Sequence, residues 1–137
     1  MRFSLRLRLL VASLLACLLL LVAFAGSASA YYLNPHIAAS PSNVISDVSG
    51  CAAVNVSGYG FTHSTASTPN FADFRVSDTY GAATTAGGDV QQVNNRGRFS
   101  GVLTICGLGL PEDTINIVAF DFATGVPSNT VHIESDS

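Results

Sequence analysis

Several residue types in this sequence are chemically capable, and their spacing decides what they can do. His63-Ser64 is the only adjacent histidine–serine pair. A serine nucleophile needs a base at hydrogen-bond distance and a third group to orient that base. The pair stands in a Ser/Thr-rich run, and no G-x-S-x-G elbow occurs, so both residues read as loop residues. His36, His63 and His132 are scattered, without the H-x-H or H-E-x-x-H spacing that brings imidazoles to one metal. Glu112-Asp113 is the densest acidic run, with Asp121 at the end of the next predicted strand. Calcium prefers clustered oxygens, and there is no D-x-D-x-D-G loop, so this run reads as a solvated acidic loop. No cofactor is implied. Tyr31, Tyr32, Tyr59 and Tyr80 offer flat rings with polar tips, suited to stacking on a partner. Tyr31 and Tyr32 fall at a fraying end. Tyr59 and Tyr80 are the candidate ligand contacts, set against the plainer reading that they cap the ends of a core. Asn55-Val56-Ser57 matches the glycosylation sequon inside a predicted strand. In a bacterial chain Asn55 is then an outward polar residue.

The cysteines point to the compartment. Residues 1–30 have the form of a secretory signal: Arg2, Arg6 and Arg8, then an apolar run from Leu9 to Ala25, then Ala28-Ser29-Ala30 as an A-x-A site. Cleavage is expected after Ala30, leaving Tyr31 first. An uncleaved anchor is one alternative. Lipidation at Cys17 is another, although the apolar run continues past it through Val22. The polar C-terminal end carries no lipid-anchor signal, so release to the periplasm or the exterior is expected, with no membrane attachment after cleavage. Cys51 and Cys106 then remain, an even count that favours a disulfide in an exported chain.

Of 137 residues, removal of thirty leaves 107, the size of one domain. That remainder has three arginines (Arg75, Arg96, Arg98), no lysine and nine carboxylates, a formal charge of −6. A nucleic-acid or anionic-lipid surface is not expected of it. The division is a signal at 1–30, an extension or edge strand at 31–43, and one domain at 44–137.

The elements that must position these residues read as strands. Short β-branched and aromatic runs alternate with Gly, Pro, Asn, Asp and Ser clusters. The expected strands are Leu33–Ala39 at an edge, Ala52–Ser57, Phe71–Ser77, Asp89–Val93, Arg98–Cys106, Thr114–Phe122 and Asn129–Glu134. Gly58-Tyr59-Gly60-Phe61 reads as a turn whose aromatic folds onto the core. Residues 82–88 read as flexible and exposed, and Asn94-Asn95-Arg96-Gly97 has hairpin-turn chemistry. In Thr114–Phe122 both faces are apolar, as in a central strand. About seven strands make an all-β, immunoglobulin-like sandwich. Parity constrains the disulfide: with Val54, Val56, Leu103 and Ile105 facing the core, Cys51 and Cys106 both face outward. The second and fifth strands of such a sandwich are antiparallel neighbours. The bridge is therefore expected as a cross-strand staple on the outer face or at the sheet's end.

These segments resemble bacterial immunoglobulin-like domains of the IPT/TIG-like group. The likeness rests on Val54-Asn55-Val56-Ser57-Gly58-Tyr59-Gly60-Phe61, on Asn95-Arg96-Gly97-Arg98-Phe99-Ser100, and on Asp121 through Val131 with its Gly125 and Ser128-Asn129. The cysteine pair is not general in that group. An antibody-type buried tryptophan and tyrosine corner are missing, since there is no Trp and Thr104 precedes Cys106 by two. The resemblance implies a non-enzymatic structural, adhesive or binding module with a protein or glycan partner. The alternative is a small secreted enzyme or carbohydrate-active accessory protein using His63 and Asp113.

Overall fold

A computed structural model describes residues 34–108 and 113–136. The expected leader with Cys17, the tyrosines at 31 and 32, and Glu112 lie outside the described residues. Nine strands form two sheets: β1 His36–Ser40, β2 Asn43–Ile45, β3 Cys51–Tyr59, β4 Phe71–Ser77, β5 Thr84–Gly87, β6 Val90–Gln92, β7 Phe99–Cys106, β8 Asp113–Asp121 and β9 Val131–Asp136. One sheet runs β1-β3-β7-β5 and the other β2-β9-β8-β4-β6. The all-β sandwich expected from the sequence is present.

Period-two alternation explains the packing. Val54 and Val56 of β3, Leu103 and Ile105 of β7, Ile115, Ile117 and Ala119 of β8, and Ile133 of β9 point between the sheets and are fully buried. Each large side chain so buried stabilises the fold by roughly 1.5–3 kcal/mol. Phe99 joins the layers, meeting Phe61 and Phe74 edge-to-face at 5.2 and 5.5 Å. Phe61 does fold onto the core, with no exposed surface. The Phe99 ring lies on Gly58, its cross-strand partner, where any Cβ would collide with the ring.

Two expectations about connections need correction, and two strands were not anticipated. Residues 82–88 are not simply exposed: Ala83 is buried, and β5 pairs with β7 across a bulge between Thr85 and Gly87. Its small side chains give no size alternation to read, and its pairing with β7 places it. The three-residue β2 pairs in parallel with β9, a register no local turn announces. The Asn94–Gly97 turn does form. Asn94 and Arg98 bond through backbone at 2.8 Å, and Gly97 takes φ +70°. It is not a β-hairpin, however, because β6 and β7 belong to different sheets. The turn carries the chain across the sandwich.

Candidate functional site

The alternation that fills the core also decides what the outer faces show. On the five-stranded sheet, Ala72 and Phe74 point inward, so Phe71, Asp73 and Arg75 point out. On β8 the outward set is Asn116, Val118 and Phe120. Register places Phe120 opposite Asp73 and Val118 opposite Arg75. The Arg75 guanidinium lies over the Phe120 ring at 4.5 Å and pairs with Asp73 at 3.7 Å. Just past β8, Phe122 is 73% exposed and meets Phe71 edge-to-face at 6.4 Å. Val90, paired with Asp73 on the other side, is half exposed. Three phenylalanines and two valines thus make one apolar patch around a single ion pair.

The outer face of the four-stranded sheet is built differently. His36 and Tyr59 are cross-strand partners and stack at 5.2 Å with 18° between their planes. With Arg98, Ser57 and Gly58 they line a shallow groove of about 510 Å³. It continues into a depression of about 200 Å³ along Ser40, Asn55, Ser57 and Ser100. At the far end of the same face Cys51 and Cys106 sit directly opposite in the β3–β7 register and form the disulfide, Cα to Cα 4.0 Å. The cross-strand staple predicted by parity is confirmed.

A buried polar hub supports the Tyr59 end. Asp121 is fully buried, and its carboxylate accepts from the Thr62 amide and hydroxyl, both at 2.7 Å, from Asn70 Nδ2 at 2.9 Å and from the Ala123 amide at 3.1 Å. Asn70 Oδ1 accepts from the Ala123 amide at 3.0 Å. The loop after β3 and the turn after β8 are thereby tied together. A second clamp is Asn129. Its Oδ1 accepts from the Ile37 amide at 2.8 Å and its Nδ2 donates to the Ile37 carbonyl at 3.1 Å.

The residues singled out from sequence do not converge. Tyr59 lines the groove, whereas Tyr80 is exposed in the β4–β5 connection, at the disulfide end of the sandwich. Ser64 is buried, and its hydroxyl accepts from the Asn70 amide at 2.9 Å. His63 sits against Gly97, at the opposite end of the sandwich from Asp113. His132 faces outward on β9, with Nδ1 2.6 Å from Asn116 Oδ1, so the three histidines are dispersed.

The acidic run is also unlike its expectation. Asp113 is buried rather than solvated, because it opens β8 as an inward-facing residue. It stands at the other end of that strand from Asp121. Asp113 Oδ1 accepts from the Thr79 amide at 3.4 Å, and Asp78 lies beside it. Burial pushes the Asp78 carboxyl up. The Ala83 amide, the hydrogen bond to the Asp113 side chain and the Gly81 and Ala82 amides outweigh this and hold it below the usual aspartate range. Among the described residues no group of three or more His, Cys, Asp or Glu side chains is placed to hold a metal ion.

What sequence reasoning missed is the aromatic face. Val118 and Phe120 make the second face of Thr114–Phe122 apolar, which fits a central strand. β8 is indeed interior to its sheet, but nothing among the described residues covers that side. The available signal was Phe71, Phe120 and Phe122 falling together at adjoining ends of two strands. Arg98 and the aromatic role of His36 were likewise invisible without the β1–β3 register.

No protein-family model matches the chain, and no curated protein matches it either. Among solved structures, WR4, a C. elegans MSP family member, is 16% identical with a TM-score of 0.42, covering 74% of this chain and 96% of that one. The cupredoxin domain of amoB from Nitrosocaldus yellowstonii is 9% identical with a TM-score of 0.41, covering 74% of this chain and 84% of that one.

Proposed function

We propose that the protein is a secreted, non-enzymatic immunoglobulin-like module, of IPT/TIG-like affiliation, that acts outside the cell by recognition or adhesion. The observation that carries this reading is the aromatic face of the five-stranded sheet. Phe122 stands open to solvent against the half-buried Phe71, and the half-buried Phe120 lies beside them under the Arg75 guanidinium. Pre-ordered aromatic side chains lose little freedom on binding and are the usual anchors of protein contacts. The disulfide supports an oxidising destination. Export adds the expectation that secreted material begins at Tyr31.

The test measures binding of the purified protein to intact cells of the producing organism, with Phe122→Asp as the comparison. An exposed site makes this change nearly neutral for folding. A loss of about tenfold or more in binding, with an unchanged melting temperature, supports the reading. Unchanged binding refutes the face. Hydrolytic turnover abolished by His63→Ala would replace recognition with catalysis.

A further inference from the structure

The outer face of the four-stranded sheet carries hydrogen-bonding groups with no work inside the fold. Asn55, Ser57 and Ser100 are exposed along the groove, and none of their side chains bonds to another described residue. Elsewhere on the surface some such groups are engaged, Thr65 with Thr68, Ser49 with Asp47 and His132 with Asn116, and others such as Gln92 and Thr114 are free; what distinguishes Asn55, Ser57 and Ser100 is that they line one depression. At the groove's end Tyr59 stays 56% exposed although His36 stacks on it. Arg98 lines the same end, and among the described residues the one ion pair is Arg75–Asp73, which leaves Arg98 without a carboxylate. Arg96 stands two residues away in the same turn. Two of the three arginines beyond the expected leader therefore gather at this end of an acidic domain.

We propose that this groove binds an acidic saccharide, with a sugar ring stacked on Tyr59, its carboxylate on Arg98, and further hydroxyls on Ser57, Ser100 and Asn55. Each part answers one piece of that ligand. An aromatic ring offers a flat apolar surface, a guanidinium pairs with a carboxylate in two-pronged geometry, and a row of hydroxyls and an amide suits a polyol. The floor, Gly58 with Ala38 and Ser57, is low enough to admit a ring along the five residues of β1, about 13 Å. An acidic peptide is disfavoured. Peptides attach to a sheet by extending its edge, but the free edge of β1 is closed at Ile37 by the Asn129 amide and bounded by Pro35 and Pro41. Beside the groove, what remains open is the face of the sheet rather than the β1 edge.

The proposal stands apart from the aromatic face and is tested separately. The full protein is titrated calorimetrically with an oligogalacturonate, a neutral oligosaccharide of equal length and an oligoglutamate. Oligogalacturonate is expected to bind best, with affinity falling as salt rises. Tyr59→Ala is expected to weaken it about tenfold or more, and Arg98→Gln to weaken it about tenfold and erase the preference over the neutral sugar. Phe122→Asp is expected to leave it unchanged. Equal binding of the neutral sugar with no Arg98 effect would overturn the acidic specificity. Oligoglutamate bound as tightly, with the same sensitivity, would make the ligand a peptide and overturn the proposal. Binding of none of the three would also overturn it.

Discussion

The two outer faces of this sandwich come from the same strand alternation and end up chemically opposite. On the five-stranded sheet the outward side chains are large and engaged with one another: Phe71 with Phe122, Arg75 with Phe120 and Asp73, His132 with Asn116. On the four-stranded sheet Ser57, Ser100 and Asn55 are small and free, beside an exposed Val102 and between a stacked His36–Tyr59 pair and the disulfide. The first face offers apolar area already ordered. The second offers hydrogen-bond capacity and room. The core fixes which residues point outward but not what they are, so each face is free to suit its own partner.

The strongest way to break this contrast is to remove what both faces share. Asp121→Ala removes the acceptor of four hydrogen bonds at the end where the groove and Phe122 lie, leaving the Thr62 amide and hydroxyl without their partner while Asn70 Nδ2 keeps the Thr62 carbonyl and the Ala123 amide keeps Asn70 Oδ1. With two donors left unsatisfied beside an emptied buried site, a loss of about 4 kcal/mol is expected, much of a small domain's stability. Urea unfolding reads it, and both faces should lose their binding together. Removing the disulfide by Cys51→Ala and Cys106→Ala acts on one sheet. It frees a separation of 55 residues and should cost about 2–4 kcal/mol. Hydrogen exchange should quicken first in β3 and β7, with β4 and β8 still protected. Equal loosening of both sheets would mean that the staple holds the whole sandwich rather than the face it lies on.

A smaller effect sharpens the contrast from the other side. Arg75→Ala removes the cation over Phe120 and the partner of Asp73. At an exposed site this is worth about 0.5–1 kcal/mol. Thermal melting should register it, while saccharide binding in the groove stays as it was. A larger loss, or a change in the groove, would show that the faces are coupled through the core.

How far the sequence could be read follows the same division. Inner faces were legible because burial imposes a period: Val54, Val56, Leu103, Ile105, Ile115 and Ile117 all point where alternation puts them. The disulfide's place followed from that parity. β2, three residues with Val44 alone buried, and β5, with small side chains throughout, were too short or too small to show a period. The path of the Asn94–Gly97 turn was hidden because turn chemistry specifies a local bend and not which sheet the next strand joins. Of the groove, Tyr59 alone was visible. His36 and Arg98 reach it through the β1–β3 register and the crossing from β6, which are facts of topology. On β8, apolar residues on both faces were compatible with burial or with display, and only the arrangement of neighbouring elements separates the two.

The smallest effect concerns acid, and it belongs to the disulfide end alone. Asp47 precedes β3, where the Ser49 hydroxyl, the Cys51 amide and the Ser49 amide hydrogen-bond its carboxylate and hold it below the usual aspartate range. Asp78, at the same end, is also held low. A carboxyl whose folded value lies below its unfolded one contributes stability above the unfolded value. That contribution drains away as pH falls through the folded value. The folded protein should therefore lose stability on acidification below about pH 4, over the window set by these two groups. Asp47→Asn should flatten that decline and slightly lower stability at neutral pH, because the amide oxygen is a weaker acceptor for the same donors. Unfolding titrations at neutral and acid pH on both proteins measure the difference. Parallel pH curves for the two would show that the turn before Cys51 draws nothing from the Asp47 charge. Because the groove and the aromatic patch converge at the other end of the sandwich, mild acid should loosen the turn beside the staple before it disturbs either face.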